Sequence, residues 1–165
     1  ESTIDSIVET IARAQRVVVA GFRSSYSVAS LLRMNLAQIR PGTWLAPQPG
    51  QSIADDTTGL DARDIAIVVS FRRHSAVITE LIAGLRANSV PVLLISDTDF
   101  RALAPDVTWW LETPSSSPGA FDSHAAAMSL VTLLSNRLLA RIAQAQDRVE
   151  RVHDTYRTLH DISDA

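Results

Sequence analysis

Val17-Val-Val-Ala-Gly-Phe-Arg-Ser-Ser-Tyr-Ser-Val-Ala-Ser-Leu-Leu32 decides how the rest of the chain is read. Val17 to Ala20 is a short, β-branched apolar run, the pattern of a strand covered on both faces. Gly21 follows, where a Cβ would strain a turn. Ser24, Ser25 and Ser27 each suit a helix N-cap, and Val28, Leu31 and Leu32 continue at helical spacing. A strand entering a helix through such a turn presents N–H groups at the positive end of a helix dipole, a site for anions and for phosphate above all. Taken alone, the turn reads slightly better as an ordinary βα connection with capping serines. No Gly-Lys-Ser/Thr follows, so it is not a P-loop, and the further glycines of a dinucleotide fingerprint are absent.

The remaining chain repeats this pattern. Residues 2–15 read as an amphipathic helix carrying Ile4, Ile7, Val8 and Ile11, capped by Ser2 or Thr3. The helix after the first strand runs to about Ile39 and is ended by Arg40-Pro-Gly42. Thr43–Ala46, Ile65–Val69, Pro91–Ile95 and Val107–Leu111 read as strands. A short helix is expected near Ile53 and another over Phe100–Ala104. A longer one carries Val77, Ile78, Leu81, Ile82 and Leu85 on one face. Trp109 and Trp110 fall on opposite faces of their strand. From Ser123 an apolar stripe runs through Met128, Val131, Leu134, Leu138 and Ile142 and on to Leu159, as one helix or two. It suits either a partner chain or the body of its own domain. Strands alternating with helices imply a three-layer α/β fold on a parallel sheet, with ligands at the carboxyl ends of the strands.

Composition narrows the chemistry. The 165 residues suit one domain and carry a net charge of −3, which offers no electrostatic footprint for nucleic acid. No apolar run reaches the ~20 residues of a membrane span, so no membrane partner is expected. Without cysteine there is no thiolate nucleophile or thiolate metal site. All 15 basic residues are Arg, which excludes lysine Schiff-base chemistry and suits bidentate recognition of phosphate or carboxylate.

The second turn, Ser70-Phe-Arg-Arg-His-Ser75, tells more than the first. Two hydroxyls flank two guanidinium groups and an imidazole before a helix. With Ser24 and Ser25 it forms a two-sided anion cradle at one sheet edge. The plainer alternative makes Arg72 and Arg73 solvated and Ser75 a cap. His74 and His124 suit acid–base work near neutral pH, and Glu80 and Glu112 are further bases. His153 and His160 fall in the charged tail, on the surface. Asp97 and Asp99 read as capping residues of a turn. Asp122-Ser-His124 is not a hydrolase triad, because no nucleophile elbow accompanies it. No His, Asp or Glu set has metal spacing, and no cofactor is expected.

Gly21-Phe-Arg-Ser-Ser-Tyr26, Val69-Ser-Phe-Arg-Arg-His-Ser75, Val92-Leu-Leu-Ile-Ser-Asp97, Leu103-Ala-Pro-Asp-Val107 and Phe121-Asp-Ser-His-Ala-Ala126 together resemble the sugar isomerase (SIS) domain. More narrowly, they resemble the C-terminal SIS domain of RpiR-type (MurR/RpiR) transcriptional regulators. The resemblance implies a flavodoxin-like, five-stranded, parallel α/β/α sandwich. It also implies a cytoplasmic homodimer or tetramer, and a phosphosugar site lined by the two Ser-bearing turns. Residues 1–165 would then be a single SIS domain with a helical extension over 143–165. The helix-turn-helix domain that contacts DNA in such regulators would lie upstream. In one respect the chain departs from the family. The common second loop is Ser-x-Ser-Gly-x-Thr, and here Arg72 and Arg73 replace the inner Ser and Gly. The resemblance implies a phosphosugar as ligand, and the departure opens the site to another anion such as a sugar acid.

On this reading Ser24, Ser25, Ser70 and Ser75 hold the anion together with backbone N–H groups, Arg72 and Arg73 add charge, and Ser123 or His124 closes the site. The expected function is a non-catalytic, effector-binding and dimerising domain. Two alternatives stand beside it: an aldose–ketose isomerase with Glu80 or His124 as base, and a purely structural dimeriser.

Overall fold

The computed structural model describes residues 2–72 and 76–159. The elements, in order, are α1 (Thr3–Arg13), β1 (Val17–Gly21), α2 (Ser25–Ile39), β2 (Thr43–Ala46), α3 (Ile53–Thr57), β3 (Ile65–Ser70), α4 (Ala76–Ala87), β4 (Val92–Ser96), a 3-10 helix (Thr98–Asp106), β5 (Trp109–Glu112), α5 (Ala125–Arg141) and α6 (Ala145–Thr158). The strands form one sheet in the order β2-β1-β3-β4-β5, every neighbour parallel. This is the α/β fold expected from the alternation of strands and helices.

The three central strands are buried along their whole length, which is why they read as unbroken apolar runs rather than alternating ones. Alternate residues serve two cores. Val17, Val19, Ile67 and Ile95 pack against α1, α2 and α5, while Val18, Val68 and Leu94 pack against α4 and the 3-10 helix. Trp109 joins the first layer and Trp110 the second, as the pleat requires. Val77, expected to face inward, is 38% exposed because the apolar stripe of α4 centres on Ile78, Leu81, Ile82 and Leu85.

Ser2 caps α1 in a reciprocal capping box with Asp5. At the other end of α1, the buried Arg40 guanidinium donates to the carbonyls of Ile11, Ala14 (2.5 Å) and Gln15 (3.3 Å), supplying donors and positive charge to the end of the helix. Residues 2–15 are therefore helical only to Arg13.

The last apolar stripe forms two helices. Extended backbone at Ile142 ends α5, and α6 leaves at 111° to it. Ala145 is fully buried and Arg148 donates to the Ala37 carbonyl at 3.0 Å, so α6 lies against the C-terminal part of α2. The proposed extension over 143–165 is described as far as residue 159, and His160 lies outside the described residues. No single helix among the described residues is long and apolar enough to cross a membrane.

Candidate functional site

The carboxyl ends of β1 and β3 lie side by side, with Gly21 in register with Val69. The two turns that leave them are therefore neighbours, although they are distant in sequence. Gly21 is required by close approach. A Cβ there would lie 2.8 Å from the Ala29 Cβ and 2.9 Å from the Ser25 carbonyl oxygen, so α2 could not enter as tightly. The left-handed residue of this turn is Arg23, at φ 55°, and in the second turn it is Arg72, at φ 43°. Both are unfavourable positions for side chains with a Cβ, and both stand where guanidinium groups enter the cleft.

The turns are locked together. The Ser25 hydroxyl is buried and accepts the Phe71 N–H at 3.0 Å. The Arg72 N–H donates to the Asp97 carboxylate at 3.0 Å, and the Ser115 hydroxyl donates to the same carboxylate oxygen at 2.6 Å. Asp97 also accepts the Asp99 N–H at 3.3 Å, the capping role expected of it. Its wider role is to gather β4, the second turn and the 112–122 loop on one buried carboxylate.

Helix N-termini leave free N–H groups, but here most are already used. Those of Ser25, Tyr26 and Ser27 bond to the carbonyls of Phe22, Arg23 and Ser24, three residues back, and so tighten the entry of α2. Of the three serines Ser24 takes the N-cap position, but none caps the helix through its side chain. Ser24 has helical dihedrals and makes no side-chain cap, Ser25 serves Phe71, and the Ser27 hydroxyl donates to the Ser24 carbonyl. Among the described residues the N–H groups of Arg23 and Ser24 remain without a bond. In the first turn the donors left among the described residues are thus these two N–H groups, the Ser24 hydroxyl and the Arg23 guanidinium.

A cleft of about 460 Å³ opens here, lined by Ser24, Ser25, Ser70, Arg72 and His124 together with Arg23. Phe22, Phe71, Ile78 and Phe121 supply its apolar wall. The Phe71 and His124 rings lie 5.1 Å apart at a tilt of 36°. The His124 Nδ1 is buried without a partner among the described residues. Arg72 Nη1 bonds to the Asp122 carboxylate across the mouth of the cleft.

Two expected residues are elsewhere. Glu80 lies in a separate groove between α3 and α4 with Ile53, Thr57 and Val77, because the exposed face of α4 turns it away from the sheet edge. Ser123 is exposed and holds backbone: its N–H donates to the Ser115 carbonyl at 2.8 Å and its hydroxyl accepts the Ala125 N–H at 3.4 Å. Arg73, His74 and Ser75 lie outside the described residues. Sequence reasoning overlooked Arg23, though it adjoins Ser24 in the same turn. It also overlooked the link from Asp97 to Ser115.

The model of the SIS domain family matches residues 10–137, and the chain belongs to that family. No curated protein sequence matches it. Among solved structures it is similar to the sugar isomerase domain of an RpiR transcription factor from Sphaerobacter thermophilus, with 25% identity and a TM-score of 0.83 over 92% of this chain and 85% of that one. It is also similar in fold to Vibrio vulnificus NanR complexed with ManNAc-6P, with 20% identity and a TM-score of 0.75 over 94% of this chain and 60% of that one. A protein from Methanococcus jannaschii whose structure was read as a 3-hexulose-6-phosphate isomerase shares the fold too. It is 13% identical, with a TM-score of 0.69 over 90% of this chain and 82% of that one. A transcription-factor domain, a protein complexed with ManNAc-6P and an inferred isomerase thus stand among the solved structures of this shape.

Proposed function

We propose that this domain is the effector-binding and dimerising part of an RpiR-type transcriptional regulator, that it senses an anionic carbohydrate, a phosphosugar first, and that it releases its ligand unchanged. One observation carries this reading. Arg23, Arg72 and the Ser24 and Ser70 hydroxyls line a single cleft made by two turns that Ser25 locks together. Its volume, about 460 Å³, suits a small ligand held by a few polar groups against an apolar wall. Vibrio vulnificus NanR, of the same fold, binds ManNAc-6P, which supports a phosphosugar. With a net charge of −3, the domain leaves DNA contact to another part of such a regulator. Arg73 and Ser75 stay in the proposed ligand set with Ser24, Ser25, Ser70, Arg72 and His124.

Isomerisation moves a proton between neighbouring carbons and needs a base beside the sugar. Glu80 lies in another groove, and the Asp122 carboxylate is taken by Arg72. His124, with its partnerless buried Nδ1, is the base that the isomerase alternative retains.

Thermal unfolding against a panel of phosphosugars and sugar acids tests the proposal. A ligand at one hundred times its Kd stabilises the fold by about 2.7 kcal/mol, a midpoint shift of several degrees. The expected result is a selective shift, with NMR showing the ligand unchanged after prolonged incubation. Interconversion of an aldose and a ketose phosphate, lost in His124→Ala, would establish the isomerase instead. If no compound moves the midpoint while the protein stays dimeric, the structural dimeriser is the better reading.

A further inference from the structure

We propose that Asp122 is a specificity-determining residue of this cleft. It competes with the ligand for Arg72, so that a phosphate ester gains the guanidinium and a carboxylate does not. The inference rests on the reading of the cleft as an anion site and goes on to name which anions it accepts.

The pair spans the cleft from the second turn to the loop before α5. Arg72 is fixed at its backbone by Asp97, and the bond from Nη1 to Asp122 sets its side chain. Asp122 belongs to an anchored wall. The neighbouring Ser123 N–H is held by the Ser115 carbonyl, and the Ser115 hydroxyl is held by Asp97. A carboxylate tethered in this way faces Arg72 at an effective concentration of roughly millimolar or above.

An incoming carboxylate offers Arg72 the same single negative charge that Asp122, bonded to Nη1 through one oxygen, already provides. It exchanges one bond for an equal one and loses translational freedom in doing so. A phosphate monoester differs in kind. It carries about −1.5 to −2 charges near neutral pH and three strong acceptor oxygens. It can draw on Arg72 and Arg23 together and take the Ser24 or Ser70 hydroxyl as well, all of which line the same cleft. The charged groups lining the cleft among the described residues are Arg23, Arg72 and Asp122, with the Asp97 carboxylate behind them on the Arg72 N–H. Once Asp122 has released Arg72, a dianion faces two guanidinium groups and gains more from them than a monoanion does. Asp122 bonds to no other described side chain, so its carboxylate can leave Arg72 by rotating about its own side-chain bonds while the backbone of Phe121 and Ser123 stays held by Ser117 and Ser115.

An NMR titration of the chain with inorganic phosphate and with acetate, at constant ionic strength, tests this. The proteins are the wild type, Asp122→Asn and Arg72→Gln, with Asp122→Ser as a second variant that cannot keep an amide bond to Arg72. In the wild type, phosphate is expected to shift the Ser24, Ser70 and Arg72 resonances at concentrations where acetate does not. In both Asp122 variants acetate should bind about tenfold more tightly, phosphate should gain less, and the preference between them should narrow. Arg72→Gln should lose the phosphate response. An unchanged ratio of phosphate to acetate affinity in both Asp122 variants overturns the proposal, as does a wild type that binds the two anions equally. Silence of every protein toward both anions overturns the anion-site reading itself and this proposal with it.

Discussion

The Ser25 hydroxyl and the Phe71 N–H meet at 3.0 Å, 46 residues apart in sequence, and this bond makes one site of two turns. Ser25→Ala leaves a buried N–H without a partner. A loss of about 1–3 kcal/mol in unfolding free energy is expected from urea denaturation. Phosphosugar affinity should fall with it, because Arg72 is carried by the residue next to Phe71. A variant as stable as the wild type would show that the bond is dispensable.

Gly21→Ala should disturb the same place by a different route. The added methyl meets the Ala29 side chain at 2.8 Å and the Ser25 carbonyl at 2.9 Å. One contact is backbone, and neither can swing aside. The expected cost is about 1–3 kcal/mol of overpacking. The double variant Gly21→Ala with Ala29→Gly should recover part of that cost. If it recovers nothing, the Ser25 carbonyl contact dominates.

Asp97 holds the Arg72 N–H and the Ser115 hydroxyl on one oxygen. Asp97→Ala should cost about 1.5–3 kcal/mol, the range for hydrogen bonds to a charged group. Asp97→Asn keeps one acceptor oxygen and should fall between Ala and the wild type in stability and in ligand affinity. Equal behaviour of Asn and Ala would mean that the charge, and not the acceptor, matters.

The buried Asp64 gives the fold an acid limit. Burial pushes its pKa upward. The two bonds from Arg16, at 2.9 and 2.6 Å, and the Asp61 N–H at 2.9 Å outweigh burial and hold it below its usual 3.8. The native state then binds fewer protons than the unfolded chain. The stabilisation is complete well above pH 3.8 and is lost as pH falls through the native value. Asp61 is held at about 2 by the Arg63 side chain and N–H, and its like charge raises Asp64. Urea midpoints of the wild type and Asp64→Asn, from about pH 7 to about pH 2.5, should differ most near neutrality and converge in acid. A gap that stays constant with pH would sink this account.

The sheet was readable because burial on both faces removes polar residues from β1, β3 and β4, leaving runs such as Val17–Ala20 and Ile65–Val69 that admit few other readings. The site was only half readable. Local spacing located Ser24, Ser70 and Arg72 at one sheet edge. It could not show that Ser25 faces the other turn, because that depends on strand register. Glu80 was misplaced because helical periodicity names an exposed face without naming the groove that the face borders. Asp97 reads locally as a cap, and its bonds to Arg72 and Ser115 span 25 and 18 residues. Nor does a non-glycine residue such as Arg23 announce a positive φ.

The position of α2 has a mechanical consequence. Its first residue, Ser25, grips the second turn of the cleft, and near its last turn the Ala37 carbonyl takes Arg148 of α6. Fifteen residues of helix make a strut roughly 22 Å long. A roll or tilt of that strut at the cleft is felt by the tail at its far end with no loop between them to absorb it. One stiff member thus ties the cleft to α6.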